Sequence, residues 1–304
     1  MTDRIAVIGE ALVDVVEGGE THAGGSPMNI AVGLARLGHP TTLHARIGAD
    51  DYGALIRAHL DEAGVSLGPD TLVTGPTSTA IARVDAEGKA SYAFDIDWDI
   101  PAPDVTGTRL VHTGSIGALR EPGAAAALAA LGTAAANTLL TLDPNIRPDV
   151  IGTKEEVLRR VADLAALCQV VKLSDEDAAW LAPDATLEKA LADLAAHGAR
   201  FVVVTRGSEG CLALVDGAWF ARPAQRVVVA DTIGAGDAFM SGLLHALLRD
   251  GTDGLLTAGE PVPDDAVLAA LDTALASAAL TVARAGANPP STAELDQALR
   301  ASRE

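Results

Sequence analysis

The sequence predicts an α/β fold: a doubly wound, mostly parallel sheet with helices on both faces. Along the 304 residues, short apolar runs rich in β-branched residues alternate with long segments rich in alanine and leucine. The runs are almost continuously apolar, as strands covered on both faces are. Parallel neighbours need a crossover, which a helix usually supplies. We therefore expect a single α/β domain over residues 1–304 with a small β insertion.

The apolar runs predict strands at these places, in chain order: RIAVIG at 4–9, TTLHARIG at 41–48, RLVHTG at 109–114, TLLTLD at 138–143, QVVKLS at 169–174, RFVVVT at 200–205 and RVVVAD at 226–231. The stretches between them are predicted as helices. No internal repeat or low-complexity linker interrupts this order.

One region, residues 77–100, departs from the rhythm. It reads as two extended runs around a turn at DAEGK. In the second run Tyr92, Phe94, Ile96 and Trp98 alternate with small or acidic residues, a period of two. This predicts a two-faced antiparallel ribbon whose aromatic face is covered by a ligand, by the main domain or by a second subunit.

Charge and composition exclude several classes of function. The formal net charge of −19 argues against a nucleic-acid or anionic-membrane partner. Cys168 and Cys211 lie far apart and outside any metal-binding spacing, so neither a disulfide framework nor a zinc site is expected. The Ala/Leu run at 124–131 is far shorter than the ~20 residues that span a bilayer. With no signal-peptide pattern at the N-terminus, we expect a cytoplasmic protein.

Polar clusters follow several of the predicted strands. Taken singly, each has a local explanation: Ser174 with Asp177 is nearly a capping box, and DPN is a good turn. In an open parallel sheet, however, ligands bind beyond the carboxyl ends of the strands. The clusters at 112–115, 143–147, 174–177, 205–207 and 231–237 therefore predict a common site.

The segment DTIGAGDAF, at 231–239, gives the sharpest chemical indication. Gly234 and Gly236 allow backbone amides to converge at a helix N-terminus, where partial positive charge favours an anion. A carboxylate at that point, Asp237, is suited to act as a base toward a substrate hydroxyl while the amides hold a transferring phosphoryl group. No GxxxxGK[ST] motif occurs, and the start of the chain lacks the second glycine of GxGxxG.

With these residues identified, the sequence resembles the ribokinase-like (PfkB) family of sugar and nucleoside kinases over essentially its whole length. DTIGAGDAFMSGLL at 231–244 resembles the C-terminal motif of that family, and GGSPMNIAVGLARLG at 24–38 resembles the N-terminal one. Weaker matches lie at 47–53, 205–210 and 283–291.

The resemblance implies an architecture for the insertion and roles for individual residues. The segments at about 11–24 and 77–100 would form a β lid over the sugar, often the dimer contact in the family, so a homodimer through the lid is expected. Asp237 would be the general base, and the amides of Gly234, Ala235 and Gly236 would form the anion hole. The residues expected to bind the sugar are Asp14, Gly25, Asn29, Trp98 and Arg147.

Nucleotide and ions are expected on the other side of the anion hole. By the resemblance, Thr205, Gly207 and Gly210 would lie along the ATP phosphates. Asn288 would lie near the adenine and near a monovalent cation, such as K⁺, shared with Asp231. Within the lid, Trp98 is expected to close over the substrate and Phe94 to be buried.

The magnesium shell is where the sequence departs from the family. The family usually has Glu at the fourth position of the element matched by SDED, where it organises Mg²⁺ through water. Here that position is Asp177, one methylene shorter, and Glu176 stands beside it. The candidates for the metal are therefore Asp177, Glu176 and Asp231, and the choice between the first two stays open.

The acceptor is expected to be a sugar. GGSPMN and DPNIRP resemble fructokinase-like members, which favours conversion of fructose to fructose 6-phosphate with ATP and Mg²⁺. The alternatives are 2-keto-3-deoxygluconate, ribose or a nucleoside, or a nucleotide- or sugar-binding protein without catalysis. The intact GAGD with Asp237 argues against a mere binder, and a dehydrogenase would require nicotinamide binding.

Overall fold

The structure, a computed structural model, describes residues 3–16, 19, 21–84 and 90–301. Its strands are β1 (Ile5–Ile8), β2 (Leu12–Val16), β3 (Thr21–Gly24), β4 (Thr41–His44), β5 (Ile47–Gly48), β6 (Ser66–Leu67), β7 (Leu72–Val73), β8 (Thr79–Val84), β9 (Ala90–Asp95), β10 (Leu110–Gly114), β11 (Leu139–Asp143), β12 (Val170–Ser174), β13 (Phe201–Thr205), β14 (Cys211–Val215) and β15 (Ala218–Arg222).

The helices cover most of the remaining chain. They are α1 (Ser26–Arg36), α2 (Asp51–Ala63), α3 (Ser115–Leu119), α4 (Gly123–Thr133), α5 (Lys154–Ala165), α6 (Asp175–Leu181), α7 (Leu187–His197), α8 (Ala235–Arg249), α9 (Thr252–Ala258), α10 (Asp264–Val282) and α11 (Thr292–Ala301). A short 3₁₀ turn, Gly207–Glu209, lies between β13 and β14.

The large sheet has nine strands in the order β15-β14-β13-β12-β11-β10-β1-β4-β6. The pairs β13–β14 and β14–β15 are antiparallel, and the other neighbours are parallel. The predicted doubly wound, mostly parallel fold is confirmed. From β1 the chain builds outward in one direction through β4 and in the other through β10, so a crevice opens at their carboxyl ends.

Both faces of the large sheet are covered by helices. On one face the buried residues of α1, α8 and α10 pack with Val7, Leu110 and Phe201. On the other face, residues of α4, α5 and α7 pack with Ile8 and Leu142. The strands are buried on both sides, which is why they are apolar throughout rather than alternating.

Helix α10 is long and apolar enough to cross a membrane by length and composition alone. It packs along α8, however, and more than half of its apolar window is buried inside the protein. A central core helix passes the same test, and we interpret α10 as one.

The predicted strands are found with one exception. Runs at 4–9, 41–48, 109–114, 138–143, 169–174 and 200–205 contain β1, β4 with β5, β10, β11, β12 and β13. The run RVVVAD is not a strand, and Val228 within it is 89% exposed. The β structure of this region lies earlier, in the β14–β15 hairpin. Its two turn residues, Asp216 and Gly217, both have positive φ, the signature of a tight hairpin.

The remaining long strands form a separate four-stranded sheet, called here the small sheet, in the order β3-β2-β8-β9. Strands β8 and β9 are antiparallel, with Thr79 opposite Asp95, which confirms the predicted ribbon. The turn predicted at DAEGK, residues 85–89, lies outside the described residues. Because β9 ends at Asp95, Trp98 lies beyond the ribbon rather than on its aromatic face.

Candidate active site

A cavity of about 350 Å³ lies between the small sheet and the carboxyl ends of the central strands of the large sheet. Its wall is contributed by three parts of the fold. The lining residues are Leu12, Asp14, Ala80 and Phe94 from the small sheet, Glu10, Ser115, Ile116, Asn145, Arg147 and Lys172 from the large-sheet side, and Gly25, Ser26, Asn29 and residues 232–237 from the two glycine motifs. Most of the predicted sugar and phosphoryl residues are therefore brought together.

The start of α8 forms one end of this cavity. The N-cap residue is Gly234, with φ at +74°, and a Cβ there would lie 2.7 Å from the Cβ of Ala287. Only glycine fits that backbone and that space. The predicted anion-hole residues Gly234, Ala235 and Gly236 all line the cavity. In this structure the Ala235 N–H donates a long bond, 3.3 Å, to the Thr232 carbonyl oxygen.

Asp237, in the first turn of α8, is held by two residues of α1. The Ser26 hydroxyl donates to one carboxylate oxygen at 2.6 Å, and the Asn29 amide donates to the other at 2.8 Å. The two glycine motifs of the sequence thus meet in space. Each carboxylate oxygen keeps a second lone pair, so the group can still accept a proton while its orientation is fixed.

Asn29 has a second polar atom available to a ligand. Its Oδ1 is buried and has no partner among the described residues, although Asn29 lines the cavity. A buried acceptor without a partner is costly unless a donor is supplied. A substrate hydroxyl would supply it. Gly25, just before α1, has φ at +113°, and a Cβ there would lie 2.7 Å from the Glu10 carbonyl oxygen.

Asp14 and Arg147 also line the cavity, as predicted, and approach it from opposite sheets. Their charges are close enough to interact. Asp14 belongs to β2 of the small sheet, opposite His22 of β3. Arg147 follows β11 and is exposed apart from one bond of its guanidinium to the Ile146 carbonyl oxygen.

The predicted roles of the two aromatic residues are reversed. Trp98 is 2% exposed, does not line the cavity, and donates its indole N–H to the Gly117 carbonyl oxygen at 2.9 Å. It packs against Gly123, at the start of α4, where any side chain would overlap the indole. Phe94 is half-buried and lines the cavity instead. The alternation of residues in the sequence continues to Trp98, but β9 ends three residues earlier, at Asp95, so the alternation does not predict the position of Trp98.

The residues predicted along the nucleotide lie outside this cavity. Thr205 is the last residue of β13, and Gly207 is the first residue of the 3₁₀ turn. Gly210 has a positive φ and lies against the end of β15. Asn288 accepts a 2.6 Å hydrogen bond from Arg36 at the end of α1. None of these four residues touches the cavity wall, so their nucleotide roles stay predictions.

The acids predicted for a metal make other contacts in the structure, so their metal roles stay predictions. Asp177 is 5% exposed and accepts backbone N–H groups on both carboxylate oxygens, from Ile146 at 2.8 Å and Ser174 at 2.9 Å. It forms a capping box with Ser174. Glu176 is exposed at the surface. Within the described part of the chain, no three acidic, His or Cys side chains are grouped as a metal cluster.

Asp231, the third metal candidate, links two loops. Its carboxylate accepts N–H groups from Ile233 at 3.0 Å and Gly286 at 2.9 Å. These bonds hold the pKa of Asp231 below its usual range. They join the loop before α8 to the loop after α10, which is a structural role that does not need an ion.

Glu10 is a cavity residue that sequence analysis missed. It lies two residues after the end of β1, is 3% exposed, and accepts the Gly117 N–H at 2.7 Å. Burial raises the pKa of Glu10 to about 7, the nearby charge of Asp237 adds to the rise, and the hydrogen bonds oppose it. An acid two residues past an apolar strand, at its carboxyl end, was the available signal.

Lys172 is the second cavity residue that was missed. It lies within β12, forms an ion pair with Asp143 of the neighbouring β11 at 2.9 Å, and both side chains are at most 5% exposed. Burial raises the pKa of Asp143, and the Lys172 charge opposes that rise. Burial lowers the pKa of Lys172, but the carboxylates of Asp143, Asp177 and Asp237 together raise it above its usual value, so the ammonium stays charged.

Comparison with known proteins identifies the family. The model of the pfkB family carbohydrate kinases matches residues 1–294. The chain belongs to the PfkB family of carbohydrate kinases. It is therefore a phosphotransferase that acts on a sugar hydroxyl, as the resemblance predicted. A fructokinase of Klebsiella pneumoniae is 34% identical over 296 residues, which cover 91% of each chain.

Solved structures agree with this assignment. A fructokinase from Xylella fastidiosa with bound ATP has a TM-score of 0.84 at 26% identity, with both chains fully covered. A variant fructokinase from Vibrio cholerae, bound to fructose, ADP and potassium, gives 0.81 at 26%, covering 97% of this chain and 98% of that one. An aminoimidazole riboside kinase from Salmonella enterica gives 0.80 at 26%, covering 97% and 99%.

The high pKa of Glu10 gives this PfkB kinase a testable pH dependence. An acid whose pKa is higher in the folded than in the unfolded protein stabilises the fold while it is protonated. For Glu10 this stabilisation is complete below the unfolded pKa, near 4.5, and is lost as pH rises through the folded pKa, about 7. Glu10→Gln stays neutral and keeps the acceptor for Gly117. Its free energy of unfolding relative to the parent should therefore increase between pH 5 and pH 8, measured by urea unfolding. Glu188→Gln, at an exposed position in α7, should show no such trend; equal trends would contradict the assignment.

Because Asp177 caps a helix, replacing it should lower the stability of this kinase without changing its Mg²⁺ requirement. Asp177→Ala leaves two backbone N–H groups without their acceptor, at about 1–3 kcal/mol for each buried one, so the urea midpoint should fall. The Mg²⁺ concentration for half-maximal activity should not change. Glu176→Ala, at the exposed neighbouring site, should alter neither quantity. A raised Mg²⁺ requirement in the Asp177 variant alone would restore it to the metal shell.

Proposed function

We propose that this protein is an ATP-dependent fructokinase that transfers the γ-phosphoryl group of ATP to fructose and yields fructose 6-phosphate. The observation that carries the proposal is Asp237, held by Ser26 and Asn29 in the first turn of α8 and facing a cavity of sugar size. The fructokinase relatives support the choice of acceptor.

In the proposed reaction, the hydroxyl oxygen of the sugar attacks the γ-phosphorus. A bond forms between these two atoms, the P–O bond to ADP breaks, and Asp237 takes the hydroxyl proton. The amides at the start of α8 stabilise the negative charge of the transferring group. Asn29, through its unpartnered Oδ1, together with Asp14 and Arg147, orients the other hydroxyls.

Phe94 is proposed to cover the sugar. It projects from β9 of the small sheet to the cavity and is half-buried there. An apolar ring over the acceptor excludes water, which would otherwise compete as the phosphoryl acceptor. On this basis we propose that the small sheet, from about 11–24 and 77–100, acts as the lid.

We propose further that ATP is used with Mg²⁺ and that a monovalent cation binds near Asp231. Mg²⁺ on nucleotide phosphates keeps several waters and needs only one or two carboxylates, so it does not need a dedicated protein cage. Potassium in the Vibrio cholerae fructokinase supports the second ion. Activity in KCl should exceed activity in choline chloride at equal ionic strength; equal activities would exclude the cation.

A homodimer through the small sheet and a cytoplasmic location are proposed on the family resemblance. Strand β9 turns Phe94 to the cavity and leaves Ala93 and Asp95 exposed, which provides an outer face for a second copy. The partners are thus a sugar, ATP and a second subunit, without nucleic acid or membrane, consistent with the net charge of −19. Sedimentation equilibrium should give a dimer; a monomer at micromolar concentration would exclude it.

An acceptor screen tests the central proposal. ADP formation is measured with fructose, 2-keto-3-deoxygluconate, ribose and aminoimidazole riboside, the last because of the Salmonella enterica kinase. Fructose should exceed every other acceptor in kcat/KM by at least about 10-fold, a factor that a few unpaired polar groups supply. Phosphorus NMR of the product should show the 6-phosphate.

The other outcomes of the acceptor screen would change the assignment. A different acceptor ranked first replaces fructose while the sugar-kinase assignment stays. Sugar and nucleotide binding without turnover of any acceptor would make the protein a non-catalytic binder. The Asp237→Asn variant is the control, because background ATP hydrolysis unrelated to this site would persist in it.

A further inference from the structure

Lys172 stands out among the charged residues because it is buried in the large sheet and still reaches the cavity. It is 4% exposed and lines the cavity wall below the start of α8. A Cβ added to Gly236, the last residue of the predicted anion hole, would lie 2.9 Å from the Lys172 Nζ. A residue distant from the Gly-rich loop in sequence therefore supplies an ammonium beside it in space.

The position of this ammonium is electrostatically unusual. A helix N-terminus carries partial positive charge, so a lysine beside the first turn of α8 is repelled by it. The carboxylates of Asp143 and Asp237 offset part of that repulsion. An anion at the first turn of α8 would bind favourably to both the amides and the ammonium.

The pairing with Asp143 keeps Lys172 charged and in place. A buried ion pair rarely stabilises a protein more than apolar residues of the same volume would, so this pair is weak evidence for a purely structural role. Asp143 has a further oxygen, Oδ1, that is buried and lacks a partner among the described residues. Among the described residues, the Lys172 ammonium donates to Oδ2 of Asp143, and its three donors leave others for a ligand.

We propose that Lys172 is a catalytic residue that binds an oxygen of the transferring phosphoryl group, with Asp143 as its positioning residue. The inference rests on the proposed function. As the sugar oxygen bonds to phosphorus and the bond to ADP breaks, the hydroxyl proton goes to Asp237 and Lys172 keeps its protons. Its contribution is a fixed positive charge next to the developing negative charge.

The test separates transition-state binding from folding. Lys172→Met should lower turnover by about 10²-fold or more, the usual loss on removing one such donor. Calorimetry should show ADP affinity within about 3-fold of the parent, but affinity for ADP with aluminium fluoride, which mimics the phosphoryl group, at least about 10-fold weaker. Lys172→Arg, which keeps the charge, should recover part of both losses.

Two further variants control for structural damage. Lys189→Met removes an exposed lysine of α7 and should leave every value unchanged. Lys172→Met leaves Asp143 unpaired and can therefore fail to fold. In that case the double variant Lys172→Met with Asp143→Asn, which removes both charges, is used in the same assays instead of the single variant.

The outcomes distinguish this inference from the proposed function. The fluoride comparison needs no sugar turnover, so it tests Lys172 even if no acceptor in the screen reacts. Turnover within about 3-fold of the parent, or equal loss of ADP and ADP–fluoride affinity, would overturn the catalytic role. So would a parent protein that binds ADP with aluminium fluoride no more tightly than ADP alone.

Discussion

Asp237→Asn should reduce turnover by at least ~10²-fold, the lower range for loss of a general base. Asparagine preserves the shape and can satisfy both neighbours of Asp237, since it can accept from Asn29 and donate to the Ser26 hydroxyl. It has no basic oxygen for the proton of the sugar. ATP affinity should change little because the helix start and its amides remain. Steady-state kinetics and calorimetry measure the two effects.

The matched control is Asp264→Asn, which changes an exposed aspartate in the first turn of another helix, α10. It should leave turnover and ATP affinity unchanged. If the Asp237 variant keeps turnover within a few-fold of the parent, another group accepts the proton and the proposed mechanism is wrong. An equal loss in both variants would indicate a general effect of charge rather than base catalysis.

Trp98→Ala should lower the free energy of unfolding by about 3–5 kcal/mol, the range for deleting a buried large aromatic side chain. The indole fills the space against Gly123 and donates to the Gly117 carbonyl oxygen, so both packing and a hydrogen bond are lost. In the folded fraction the KM for fructose should stay within about 2-fold. Trp98→Phe retains most of the volume and should lose only about 1–2 kcal/mol, chiefly from the unpaired carbonyl group.

Phe94→Ala is the complementary change. Its ring is half-buried at the cavity, so stability should change little while the KM for fructose rises several-fold and turnover slows. Urea unfolding and steady-state kinetics of the two alanine variants should thus give opposite patterns. A Trp98 variant with unchanged stability and a raised sugar KM would return the covering role to Trp98.

The sequence was most informative where local chemistry determines local structure. Continuous apolar runs predicted the central strands, because a strand covered on both faces must be apolar throughout. The glycines of DTIGAGDAF predicted the start of α8, because Gly234 adopts a backbone that other residues avoid. An acid in the first turn of a helix is common, and Asp237 could be singled out because it stands beside the two glycines that let backbone amides converge on an anion.

Features that depend on distant parts of the chain could not be predicted in the same way. The run at 226–231 has the composition of a strand but pairs with none, and the β14–β15 hairpin forms that edge of the large sheet instead. Lys172 looked like a single interruption of an apolar strand. Its relation to Gly236 exists only because the start of α8 lies beside the Lys172 ammonium, and no spacing in the sequence records that contact.

The metal residues stay predictions, because their contacts also depend on distant parts of the chain. Asp177 satisfies a helix cap and the Ile146 N–H together, and the second of these contacts comes from a loop about 30 residues earlier in the chain. The capping interpretation was available from SDED alone. The sequence could not show that both carboxylate oxygens of Asp177 accept backbone N–H groups.

The bonds from Ser26 and Asn29 to Asp237 join positions 211 and 208 residues apart. On a ribosome adding roughly 5–20 residues per second, the base is synthesised on the order of 10–40 s after the two donors that orient it. A nascent chain can therefore form much of the central sheet while it still lacks any phosphoryl-transfer chemistry. Chains that stop early, or lose their C-terminal third to a protease, are incapable of consuming ATP at this site, so an abandoned fragment does not drain the nucleotide pool.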